Sequence, residues 1–169
     1  MKKLFTLAIM FLALTTAAFA QNKKVAILET LDREGNVPYG VKLQLRSSLT
    51  YAISNTSGYE GYDRVDMGEI MGEQDFQRTG MVSDDQIRQL GEMTGASLIL
   101  VSEVAIYDNQ HIILSAKILN VETAGVESNP LPITVATDPE SMQNACNKLA
   151  KKLLGTSLGE MLKKSIFGN

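Results

Sequence analysis

The 169-residue sequence predicts a single α/β domain, and three observations point there. "VAIL" at Val25 to Leu28 is a compact apolar run, the composition of a strand covered on both faces. Segments with apolar residues at helical spacing alternate with β-rich segments through most of the chain. Two long β-rich runs, "ASLILVSEVAIY" and "HIILSAKILNV", flank the short polar stretch Asp108-Asn109-Gln110 and predict a hairpin.

Taken in order, Met1 to Ala20 has the form of an export signal. Lys2 and Lys3 precede an apolar run from Leu4 to Leu14, and Ala18-Phe19-Ala20 has the small-x-small pattern of a cleavage site after Ala20. The run is too short to span about 30 Å of hydrocarbon comfortably. The expectation is residues 1–20 as signal peptide, residues 21–169 as one domain, and a product located in the periplasm or secreted. Loss of Lys2 and Lys3 would make the net charge of −3 more negative. An acidic balance with interspersed signs disfavours nucleic acid and anionic membrane surfaces as partners, and no stable membrane insertion is expected.

"VAIL" should be a central strand. "LDREGNVPYG" has the Gly, Asn and Pro of a loop, after which Val41, Leu45, Leu49, Ala52 and Ile53 recur at helical spacing, with Gly58 as the stop. A short strand follows to about Arg64. Asp66 with Glu69 three residues on has the form of a capping box for a helix bearing Met67, Ile70 and Met71. Ser83 and Gln86 repeat the device before a helix with Ile87, Leu90 and Gly91, closed by Gly95. In the hairpin, Ile112, Leu114, Ala116 and Ile118 share one face while Ser115 and Lys117 take the other, so one side is core and the other partly wet. "LPITVA" reads as an edge strand because Pro130 and Pro132 would interrupt a central ladder. Pro139 opens a helix with Met142, Ala145, Cys146, Leu149 and Leu153 on one side, and a separate short helix is expected from Ser157 to Ile166.

Chemistry is constrained by what is scarce. Cys146 is the single cysteine and His111 the single histidine, so no internal disulfide can form and a structural zinc site lacks its usual ligands. A histidine-activated nucleophile would have to use His111. Ser115, four residues on along the same strand face, lies roughly 13 Å away by the rise per residue and cannot bond to it. Cys146 falls in an apolar helical stripe, the place of a buried inert thiol.

Carboxylates are more numerous. Glu69 and Glu73 are one helical turn apart, and paired acids can do acid-base work or hold a cation. Their spacing fits capping, dipole and ion-pair roles better, with Glu73 in reach of Arg64 or Arg78. No calcium-loop, phosphate-loop or dinucleotide glycine pattern is present. No cofactor and no metal is expected.

The order "VAIL", "YDRVDMGEIMGEQ", "LGEMTGASLILVSEV", "ILNVETAGV" resembles the landmarks of the CsgG, LpoB and TolB amino-terminal-like group of bacterial envelope proteins. The resemblance spans Val25 to Val126. It implies an α/β domain with helices against a mixed sheet, used for protein contacts and assembly rather than catalysis. It also implies that Asp63, Arg64, Glu73 and Gln74 mark a strand-to-helix junction, to which Glu69 belongs as capping residue. The chain lacks the lipidated cysteine and long inserting hairpins of CsgG-type pores, so a pore is not expected. The expected function is a non-enzymatic exported envelope protein that binds another envelope protein or associates with itself. Two readings stand beside it: a carboxylate- or metal-dependent periplasmic enzyme using the acids near Glu69 and Glu73, and a module that captures a peptide strand on a sheet edge.

Overall fold

The structure, a computed structural model, describes residues 22–63 and 83–167, with side chains through residue 155. Its elements are β1 (Lys23–Ile27), α1 (Tyr39–Ser54), β2 (Tyr59–Asp63), α2 (Asp84–Thr94), β3 (Leu98–Ile106), β4 (His111–Asn120), β5 (Val126–Ser128), β6 (Ile133–Ala136) and α3 (Pro139–Phe167). The fold is the expected mixed α/β domain.

The sheet runs in the order β2, β1, β3, β4, with β5 and β6 sharing the outer side of β4. β1 is parallel to both neighbours: Ala26 lies opposite Tyr62 on one side and Ile99 on the other. That central position explains the apolar run, because from Val25 to Leu28 neither face meets water. Val25 and Ile27 point into one core and Ala26 and Leu28 into a second. β3 and β4 form the predicted antiparallel hairpin in unbroken register from Leu98 opposite Asn120 to Ile106 opposite Ile112.

The first core lies beneath α1 and α3, which bury Leu45, Leu49, Ile53, Cys146, Leu149 and Leu153 against Leu98, Leu100, Leu114 and Ile118. On the opposite face α2 covers the sheet with Ile87 and Leu90 against Ala26, Ile99 and Val101. α2 begins with the predicted capping box: the Ser83 hydroxyl accepts from the Gln86 N–H at 3.3 Å, and the Ser83 N–H donates to the Gln86 side chain at 2.9 Å. It ends at Gly95 in the left-handed region, φ +65°.

Three details differ from expectation. α1 stops at Ser54 with Asn55 as its C-terminal cap, and Gly58, φ +84°, serves instead the turn into β2. The carboxyl-terminal helix is continuous from Pro139 to Phe167. Gly155 costs a helix about 1 kcal/mol relative to alanine, which is too little to end one. β5 was not anticipated; it is three residues long and pairs with Ile118 and Leu119 across a register shift. The helix expected to follow Asp66 lies outside the described residues.

Candidate protein-contact surface

Of the residues expected at the strand-to-helix junction, Asp63 alone is described. Asp63 ends β2, and its carboxylate turns toward α1, where Arg46 Nε stands 3.3 Å from Oδ1. This is ion-pair distance without hydrogen-bond alignment, since neither atom has a hydrogen-bond partner among the described residues. Arg46 is nearly buried, 8% exposed, on a helix face otherwise filled by Leu45, Leu49 and Ile53. Arg64, Glu69, Glu73 and Gln74 lie outside the described residues, as does the expected pairing of Arg64 with Glu73.

β2 and α1 approach closely because Gly61 has no side chain. A Cβ there would stand 2.7 Å from the Thr50 carbonyl oxygen and 2.9 Å from Ser54 Oγ, the hydroxyl that accepts the Gly61 N–H. Arg46 and Gly61 thus form an α1–β2 contact that sequence reasoning passed over. Two signals were available: a lone arginine inside an apolar helical stripe needs an acid, and a strand-interior glycine marks close backbone approach.

The loop after β1 is organised by Asp32. Its two carboxylate oxygens accept the N–H groups of Gly35, at 3.0 Å, and Val37, at 2.8 Å, which folds the chain back toward α1. Just before it, the buried hydroxyls of Thr30 and Ser102 bond at 3.0 Å. Just after it, the Arg33 guanidinium makes a two-pronged bond to the Glu103 carboxylate at 2.7 and 3.0 Å, which raises the arginine's pKa.

His111 and Cys146 have structural surroundings. His111 Nδ1 lies 2.9 Å from Asp108 Oδ1 in the hairpin turn, where the same oxygen accepts the N–H groups of Gln110 and His111. The Gln110 N–H and then the His111 side chain hold the Asp108 carboxyl below its ordinary value. Burial pushes the Cys146 thiol up to about 12, so it carries no thiolate at neutral pH. Among the described residues, no group of three Asp, Glu, His or Cys side chains is placed to hold a metal ion. No described helix is long and apolar enough to cross a membrane.

Two surface features have the form of contact sites. Along α1, Tyr39, Leu43 and Tyr51 are exposed by 64%, 40% and 60%. Their spacings of four and eight residues set them along one flank of the helix. At the far edge of the sheet, a groove of about 650 Å³ runs between β6 and α3, with Ile133 and Val135 on one wall and Lys148, Lys151 and Lys152 on the other. Among the described residues β6 pairs with β4 alone, so its second side is a strand edge there.

No protein-family model matches the sequence, and no curated protein matches it. Solved structures do. The PelC dodecamer from Paraburkholderia phytofirmans superposes with a TM-score of 0.54 at 8% identity, over 79% of this chain and 88% of that one. TolB from Acinetobacter baumannii gives 0.53 at 10% identity, over 80% of this chain but 29% of TolB, so the likeness is to a part of that protein. The LpoB C-terminal domain from Salmonella enterica gives 0.50 at 12% identity, over 73% of this chain and 90% of that domain. Identities this low speak to fold alone, and the fold is one that this chain shares with LpoB and TolB-like domains.

Proposed function

We propose that the chain is a non-enzymatic protein-contact and assembly module of the bacterial envelope, exported by residues 1–20 and folding as one domain over residues 21–169. The observation that carries this reading is the exposed stripe of Tyr39, Leu43 and Tyr51. Large, stiff, amphipathic side chains supply contact area at low entropic cost, and aromatic residues are enriched in interface cores. The PelC structure adds support, since it is a dodecamer built on the same fold. Within this reading Asp63, Arg64, Glu69, Glu73 and Gln74 fasten the end of β2 to the following segment, while the Asp63–Arg46 pair ties the same strand end back to α1.

A photo-crosslinking residue placed at Tyr39 or Tyr51 tests the proposal in the native envelope. Adducts above the monomer mass are expected, and they should disappear when the other two stripe positions are changed to serine while circular dichroism and Tm stay constant. Absence of adducts from both positions would refute the reading. Amino-terminal sequencing of the exported protein should begin at Gln21; retention of Met1 would refute the export signal. For the junction, Arg64→Ala and Glu73→Ala should each lower stability, with the double variant losing less than the sum. A large calcium- or magnesium-dependent rise in Tm that vanished in Glu73→Ala would instead favour a cation site.

A further inference from the structure

We propose that the groove between β6 and α3 receives an acidic, extended peptide segment of a partner protein, which adds to the open side of β6 as a further strand. The inference rests on the reading of the chain as a protein-contact module and names the chemistry of one contact.

Backbone geometry supplies the template. The Thr137 N–H donates to the Gln110 carbonyl on the β4 side. Because backbone groups alternate along a strand, Val135 and Ile133 also face β4, in register with Ile112 and Leu114, while Thr134 and Ala136 turn their N–H and C=O groups outward. No described residue takes those outward groups. They offer two donors and two acceptors, enough to order about four residues of an added strand.

Side chains supply the selectivity. Lys148, Lys151 and Lys152 line the groove, and no described acidic residue does, although the whole chain carries a net charge of −3. Spacings of three and four residues place these ammonium groups on one helical face, where like charges repel unless an anion comes between them. Lys152 is already engaged within the chain, whereas Lys148 and Lys151 have no described partner. A strand bound along β6 would point every second side chain toward α3, so Asp or Glu at alternate positions would meet these two lysines, while apolar residues could rest on the Ile133 and Val135 wall. A second copy of the chain is a poor occupant: two-fold pairing of β6 with itself would bring both copies' lysines together. Pro132, directly before β6, shortens the edge and limits such pairing further.

The test is fluorescence anisotropy of a labelled eight-residue peptide of alternating Glu and Val titrated with the purified protein. Saturable binding is expected, weaker at high salt and absent for the Lys-Val counterpart. Lys148→Glu with Lys151→Glu should weaken it about tenfold or more. Thr134→Pro, which removes an outward donor and leaves the β4 ladder intact, should do the same. A Glu-Val peptide N-methylated at alternate residues applies that test without altering the protein, and it should fail to bind. Binding that survives all three changes, or no binding at all, would overturn the proposal. A dimer abolished by Thr134→Pro would overturn it as well, by placing a second copy on the edge. Crosslinks from Tyr39 and Tyr51 that persist in the Lys148→Glu, Lys151→Glu protein would show that the module reading stands even if the groove proposal falls.

Discussion

On one face of the sheet, α1 and α3 close over β1, β3 and β4, and twenty-two buried apolar residues join in one described cluster; on the other, nine gather beneath α2. Consecutive residues of a strand therefore experience different solvents. Leu114 in β4 is fully buried, while Ile113 beside it is only partly buried on the opposite face. Among the described residues the first face holds the larger cluster, and on the second the charged pair of Arg33 with Glu103 sits in reach of water.

The sharpest way to break that contrast is to truncate neighbours. Leu114→Ala should cost about 3 kcal/mol through lost burial and the cavity left behind, and Ile113→Ala less than about 1 kcal/mol. Urea denaturation of both variants measures the difference, and equal losses would mean the two faces are equally packed. Next in size is the α1–β2 contact. Gly61→Ala forces a Cβ against the backbone carbonyl of Thr50 and should cost about 2 kcal/mol. Arg46→Ala should cost a similar ~2 kcal/mol, between the values for exposed and buried pairs, because Asp63 is left partly desolvated. If both variants melt like the parent, this side of the domain is looser than its geometry.

On the α2 face the expected effects are smaller. Arg33→Ala should change stability by less than about 1 kcal/mol, and the change should shrink in high salt, because the pair is solvent-screened. The smallest effect tests the start of α3. Asp138 accepts the Ser141 N–H at 2.9 Å, and that bond holds its carboxyl below the ordinary value. A depressed folded-state pKa means stability that is present above the ordinary carboxylate pKa and lost as pH falls through the folded value. Thermal melts should therefore show Asp138→Ala below the parent at neutral pH, with the two converging in strong acid. A gap independent of pH would argue against the carboxylate as cap.

What was legible in the sequence was what neighbours in the chain decide. The Ser83 and Gln86 capping box, the Gly95 stop and the hairpin around Asp108 all depend on contacts within a few residues. The central position of β1 was legible too, because burial on both faces leaves an apolar run. Arg46 with Asp63 was not, since the acid lies on another element and only the fold brings it near. The long α3 was misjudged because Gly155 and Ser157 are weak local stops. The groove beside β6 left no motif at all. Its strand edge is made of backbone, and its lysines read as an ordinary solvated helix face until the sheet is placed against them.

The place of β1 also sets the order in which the domain can assemble. β1 is the first strand of the sheet to leave the ribosome, yet one of its two neighbours, β3, begins about seventy residues later, so its ladder closes a large loop at high entropic cost. β3 and β4 need only a four-residue connection to zip together. The hairpin is therefore the inexpensive nucleus and β1 the late insertion, which leaves Val25, Ala26 and Ile27, fully buried in the fold, waiting for cover and makes the interval before closure the period of greatest risk of aggregation.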